Sequence, residues 1–165
     1  MNKRYVYSFD LGKVGNTTPP VNNIPLRFRE VYKTDLSALA ELMIDAYYDT
    51  IDYDGETLTD AVSEVQAYFC GQRGGLPLLN DSRLGFIGDV LVSACLASYW
   101  DERQKPVIAY VMTQTAYKNS GIGKQTLWVV LQKLAQQGYS EVLAVITYGN
   151  TPSEKLFMCL GFERI

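Results

Sequence analysis

Ten residues, Tyr117 to Thr126, read YKNSGIGKQT, with two glycines one residue apart and a lysine on either side. Before them runs the apolar, β-branched PVIAYVMTQT (106–115). After them comes LWVVLQKLAQQGY (127–139), whose apolar residues recur at helical spacing. A strand, a glycine turn and a helix in that order aim backbone N–H groups and a helix N-terminus at one point, an arrangement that holds phosphate. Two familiar versions do not fit. GxxxxGK[ST] needs glycine where Lys118 stands and Ser or Thr where Gln125 stands. GxGxxG needs glycine at Thr126 and a place after a first strand. What is left is a phosphate cradle of a third kind, or a turn softened by glycine.

Composition limits the chemistry that can accompany it. The 165 residues include no histidine, which excludes Ser-His-Asp and Cys-His nucleophiles and any histidine metal site. No side chain is left with an unperturbed pKa near neutrality, so proton transfer falls to carboxylates, tyrosines or water. Cys70, Cys95 and Cys159 are widely spaced and form no CxxC pair, so neither a disulfide framework nor a zinc site is expected, and no metal. The net charge of −3 argues against a general grip on nucleic acid or an acidic membrane. The N-terminus lacks an apolar core of signal-peptide length, and no run approaches the ~20 apolar residues of a membrane span. A cytoplasmic protein of one domain is expected.

The elements around the glycines follow from periodicity. Residues 1–10 can form a short strand, and 12–25, rich in Gly, Pro, Asn and Thr, read as a loop. LRFREV (26–31) alternates as a strand. Thr34 or Asp35 can cap a helix whose face is Leu36, Leu39, Ala40, Met43, Ala46 and Tyr47. A second helix starts at a Thr57–Asp60 capping box, with Leu58, Ala61, Val62, Val65 and Phe69 on its apolar face. Strands follow at 83–87, 89–100 and 107–113, the last two joined by the hairpin loop DERQKP. The next helix buries Leu127, Val130, Leu131 and Leu134 and ends at Gly138. A buried strand spans 141–148, and a final helix opens at Pro152 and closes at Gly161. The order β-α-α-β-β-β-α-β-α predicts a mixed α/β sheet, mostly antiparallel, with one parallel crossover between 107–113 and 141–148.

On these residues, Lys118-Asn119-Ser120-Gly121-Ile122-Gly123 resembles motif A of the GNAT superfamily of N-acetyltransferases, (Arg/Gln)-x-x-Gly-x-(Gly/Ala), with Lys in place of the first Arg or Gln. Lys keeps the charge and loses the planar fork. NTPSEKLFMCLGF (150–162) resembles motif B: Asn150, Leu156, Gly161 and Phe162 match, Ser153 replaces Ala, and Phe157 replaces a Tyr. The resemblance covers 26–165, a domain preceded by an extension at 1–25. It implies an acyl-CoA N-acyltransferase-like fold with splayed strands, acetyl-coenzyme A as co-substrate, and direct attack by an amine in a ternary complex. It implies that Lys118 to Gly123, with Lys124, meet the pyrophosphate. Val111, Met112 and Thr113 would meet the pantetheine, and Asn150, Ser153 and Phe157 would lie near the thioester.

The chemistry beyond the cofactor is sparse. In many relatives that Tyr of motif B protonates the leaving thiolate, which Phe157 cannot do. The usual carboxylate base falls at about Val107, which cannot serve. Tyr110 and Tyr148 are the nearest relays, with Asn150 as a polar partner, though both tyrosines also suit a packed core or rim. DAYYDTIDYDGETLTD (45–60) holds six acids, three tyrosines and no basic residue. Asp52 and Glu56 there suit a cationic amine of a small molecule or peptide, and the same acids suit helix caps and a solvated turn. Two functions remain open, an N-acetyltransferase and a non-catalytic acyl-CoA sensor; a homodimer is compatible with either.

Overall fold

The computed structural model describes residues 2–48 and 50–165; Asp49, one of the six acids in 45–60, lies outside them. The strands are β1 (Arg4–Asp10), β2 (Arg27–Arg29), β3 (Leu76–Pro77), β4 (Arg83–Ile87), β5 (Val90–Trp100), β6 (Lys105–Thr113), β7 (Glu141–Thr147) and β8 (Glu163–Arg164). They form one sheet in the order β2-β4-β5-β6-β7-β1-β8, with β3 beside β5. The helices are α1 (Leu36–Tyr47), α2 (Leu58–Phe69), α3 (Ile122–Gln136) and α4 (Thr151–Leu160). No helix among the described residues is long and apolar enough to cross a membrane.

Each face of the sheet has its own core. Leu39, Ala40 and Met43 of α1 and Val65 and Tyr68 of α2 pack on Leu84, Ala94, Leu96 and Met112. On the other face, Leu127, Leu131 and Leu134 of α3 and Phe157 of α4 pack on Phe9, Val142, Ala144 and Ile146. Burial on both faces explains why VLVSACLASYW in β5 shows no alternation of apolar and polar residues.

The expected mixed sheet is observed, and its one parallel pair is β6 with β7. That pair is short. Val107 faces Leu143 and Ile108 faces Ala144, and there the pairing stops, although β6 runs on to Thr113 and β7 to Thr147. A bulge coincides with the parting. Leu96 opposes Tyr110 while Ala97 opposes Ile108, so Ala109 is an extra residue on β6. A bulge bends its strand and increases local twist, which carries β6 away from β7.

Several local expectations are revised. Residues 4–10 form a strand in full register with β7, from Arg4 opposite Thr147 to Asp10 opposite Glu141. Leu11–Asn16, expected as loop, is a 3₁₀ turn that starts where the Asp10 carboxylate accepts from Gly12 N–H at 2.8 Å. The Thr57–Asp60 capping box forms as expected, but Leu58 in the first turn is exposed and Tyr68 takes the inward place. The Tyr68 hydroxyl donates to Ala97 O at 2.6 Å, a carbonyl that also accepts from Leu78 N–H, and no side-chain period reveals the link.

Asp35 does not cap α1 with its side chain. It turns back to accept the Arg29 fork at 2.9 and 2.8 Å and the Tyr32 N–H at 2.8 Å. Burial pushes its pKa up, and the Arg29 and Tyr32 bonds outweigh that and hold the carboxyl below its ordinary value. A depressed folded pKa stabilises above the unfolded value, about 3.9, and that stability is lost as pH falls through the folded pKa. Arg29→Met is therefore expected to cost about 1–3 kcal/mol at pH 7. The cost should shrink below about pH 4 in urea titrations. A penalty independent of pH would show that Arg29 acts through packing alone.

Candidate active site

Where β6 and β7 part, a cleft of about 910 Å³ opens between them and extends under α2 and the α1–α2 loop. The ladder on the closed side of β6 fixes which backbone groups face it. Gln114 N–H donates to Val92 O at 2.8 Å, and Thr113, Met112 and Val111 stand opposite Ser93, Ala94 and Cys95. In an antiparallel ladder successive residues turn their N–H and C=O to opposite sides. Gln114 and Met112 therefore face β5, and Val111 and Thr113 face the open side. Met112, expected beside the cofactor, is the exception: its backbone belongs to β5 and its buried side chain belongs to the α1–α2 core.

The glycine turn follows β6. Thr115–Tyr117 make a 3₁₀ turn, and Asn119 and Gly121 take left-handed backbone at φ 63° and 86° before α3 begins at Ile122. Among the described residues, the N–H groups of Asn119, Ser120, Gly121, Ile122, Gly123 and Lys124 have no carbonyl or side-chain acceptor. Six such donors in succession at a helix N-terminus suit an anion of the size of a pyrophosphate. A buried 2.8 Å hydrogen bond between Ser93 and Thr126 fastens the first turn of α3 to β5.

Side chains at the turn reach protein partners. The Lys118 ammonium donates to Ala46 O in the last turn of α1. Thr115 joins the same place, its N–H bonding Asp45 Oδ2 at 2.7 Å and its hydroxyl Asp45 O at 2.8 Å. Asn22, in the N-terminal segment, donates to Ser120 O at 2.9 Å. Gly123 has an ordinary helical backbone; a Cβ there would stand 2.9 Å from Thr113 Oγ1. The glycine lets α3 approach β6 closely.

On the far wall, Asn150 caps α4 by accepting from Ser153 N–H at 3.3 Å and donates its amide to Asp52 Oδ2 at 2.9 Å. That bond joins motif B to the acidic loop, and Asp52, Asn150, Ser153 and Phe157 all line the cleft. Phe157 is buried, with its ring edge-on to Phe162 at 4.9 Å. Glu56 lines the cleft too, and accepts from Asp54 N–H at 2.7 Å. Tyr148 is not among the lining residues; it is exposed and packs against Tyr5 at 5.6 Å.

Tyr110 lines the cleft and donates its hydroxyl to Glu64. Burial and then the Glu64 bond push its pKa well above the ordinary tyrosine value, so it keeps its proton at neutral pH. Glu64 is in turn gripped by Arg73, Nε at 2.7 Å and Nη2 at 3.0 Å. The Arg73 bond chiefly lowers the Glu64 pKa, against burial and with help from Tyr110. Sequence reasoning missed both Glu64 and Arg73. One signal was present: Glu64 falls three residues after Ala61, beside the inward stripe Ala61–Val65–Tyr68, where a charge needs a partner.

A mostly antiparallel sheet with one splayed parallel pair, and a bare N–H turn at the mouth of the gap, defines the acyl-CoA N-acyltransferase-like class of fold. The model of the acetyltransferase (GNAT) family matches residues 37–162, and the chain belongs to that family. Solved structures share the fold. A GCN5-related N-acetyltransferase from Sphaerobacter thermophilus superposes with a TM-score of 0.68 at 19% identity, over 98% of this chain and 48% of that one. This chain therefore spans about half of that relative's length. Salmonella typhimurium yncA, solved with its cofactor acetyl-CoA, gives a TM-score of 0.62 at 17% identity over 84% and 79% of the two chains. AAC(6')-Iy, bound to the bisubstrate analogue CoA-S-monomethyl-acetylneamine, gives 0.59 at 17% identity over 84% and 91%. No curated protein matches the sequence.

The Gly123 contact is testable. Gly123→Ala is expected to cost about 1–3 kcal/mol by overpacking against Thr113. In a Thr113→Ala background the same change should cost nothing, or stabilise by the ~0.5–1 kcal/mol that alanine gains over glycine inside a helix. Urea unfolding of the four proteins measures the cycle. Equal costs in both backgrounds would show that the contact is not what requires glycine.

Proposed function

We propose that the protein is an N-acetyltransferase that moves the acetyl group of acetyl-coenzyme A onto a primary amine of a small molecule or peptide, with both substrates bound together. The observation that carries the reading is the row of six unpartnered N–H groups at Asn119–Lys124, beside the open backbone edge of β6. Membership of the GNAT family and the coenzyme A ligands of the relatives support it. Residues 26–165 serve as the acetyltransferase domain and 1–25 as its N-terminal extension. The three free cysteines suit a cytoplasmic site of action.

In this reading the N–H groups at 119–124 hold the pyrophosphate, and Val111 and Thr113 pair with the pantetheine amides as a neighbouring strand would. The thioester supplies an activated acyl carbon: the amine nitrogen bonds to it, the C–S bond breaks with its electron pair going to sulfur, and the proton lost from nitrogen balances the one gained by the thiol. Asp52, held by Asn150, accepts from the incoming amine and orients it. Tyr110 holds its proton against Glu64 and shapes the wall; it does not act as a base. Phe157 packs beside the reacting centre and leaves protonation of the thiolate to water. The second reading, an acyl-CoA sensor without turnover, is favoured by Phe157 and Val107, apolar where many relatives carry proton-transfer groups.

Acetyl-coenzyme A at ~100 times its dissociation constant is expected to stabilise the fold by about 2.7 kcal/mol, read as a higher melting temperature. With an amine present, free thiol should be released. Stabilisation without thiol from any amine would favour the sensor; no stabilisation at millimolar concentration would remove both readings.

Phe157→Tyr adds a hydroxyl at the cleft and should leave the fold intact. It is expected to raise turnover by no more than the ~100- to 10,000-fold of general acid catalysis. A fall in kcat with unchanged stability would show that no room exists beside the thioester.

A further inference from the structure

One wall of the cleft carries a cation whose direction the strand register fixes. Arg4 stands opposite Thr147, and Val6 opposite Val145, in the β1–β7 ladder. Opposed residues of an antiparallel pair share a face. The alternate set on β1 and β7, Tyr7 and Phe9 with Val142, Ala144 and Ile146, builds the core under α3 and α4. Arg4, Val145 and Thr147 therefore face the α1–α2 side, and all three line the cleft. Arg73 lines it as well, but its fork is taken by Glu64. Among the described residues Arg4 has no ion-pair partner, although its charge helps to lower the pKa of Glu64, whose carboxylate is already taken by Arg73 and Tyr110. Asp52, fixed by Asn150 just past the end of β7, and Glu56 line the same cleft. The cleft therefore carries carboxylates from the α1–α2 loop together with a cation from the start of β1.

From this bipolar cleft we infer that the acceptor is amphoteric: an amino acid or short peptide whose amine is drawn to Asp52 and whose carboxylate is held by Arg4. The inference rests on the acetyl-transfer reading and names its substrate class. A guanidinium offers a carboxylate two parallel N–H bonds, a geometry an ammonium cannot supply. A diamine would set its second cation against Arg4, so the same residue that selects the carboxylate rejects the polyamine. Arg4 precedes residue 37, where the family match begins, so this selectivity lies outside the matched residues. The chemistry is unchanged: nitrogen replaces sulfur on the acyl carbon, and the amine's proton balances the thiol's.

The test is thiol release across matched pairs: phenylalanine and phenethylamine, tyrosine and tyramine, lysine and cadaverine, then the remaining amino acids and their dipeptides. Expected are a kcat/KM at least tenfold higher for the carboxylate-bearing member and an Arg4→Gln variant in which that ratio collapses towards one through KM. Arg4→Lys should restore part of it. Calorimetry on the protein saturated with free coenzyme A, which has no acyl group to transfer, should show the same preference as a difference in Kd. Decarboxylated amines used as well as the amino acids, or a ratio that survives Arg4→Gln, would overturn the inference and leave acetyl transfer standing. No thiol from any acceptor, in protein that acetyl-coenzyme A stabilises, would overturn the transfer reading and this inference with it.

Discussion

The structure depends on one interruption: β6 and β7 stop pairing after Ile108 and Ala144. A parallel pair buried between two helical layers would normally continue, because an unpaired N–H or C=O out of water costs as much as a lost hydrogen bond. Here the extra residue Ala109 bends β6 away; the groups left over on Val111 open into the cleft and those on Thr113 face the same side of the strand. Two packed cores, one on each face, hold the sheet rigid around that defect. The defect is affordable because it is also where an extended ligand with its own amides can complete the ladder.

A second consequence concerns how the two halves of the cleft are tied together. The turn that presents the bare N–H groups is fastened to the end of α1 by Lys118 and Thr115. The loop beyond α1 is fastened to α4 through Asp52 and Asn150. Short polar links thus anchor both the glycine turn and the acidic loop to neighbouring helices.

Much of this was legible in the sequence, and the reasons are physical. Helical and strand periods report burial, so the α1 stripe, the α3 stripe, the capping box at Thr57 and the closing glycine of α4 were readable. The glycine turn was legible because backbone N–H groups need bare, left-handed residues such as Gly121. What was not legible needs tertiary contact. β3 and β8 are two residues long and carry no period. The Arg73–Glu64–Tyr110 chain joins residues of α2, its following loop and β6, far apart in sequence. Met112 was assigned to the open edge because a strand's direction is visible in sequence while the side to which each N–H turns is not. Tyr148 is read from the sequence as a relay near the position of Val107, although beyond the end of β7 it turns outward onto Tyr5.

The two departures from the family pattern have a common explanation. At the first motif position, Lys118 donates to the Ala46 carbonyl and so holds the end of α1. An arginine there could form two parallel bonds to phosphate, whereas an ammonium makes a good single donor to one carbonyl. At Phe157 the same logic runs through packing: its ring sits against Phe162, which stacks on Phe9 of β1 at 5.2 Å. That aromatic row ties α4, the C-terminus and the N-terminal strand into one layer. Strand β1 thereby becomes part of the cleft's support as well as the carrier of Arg4.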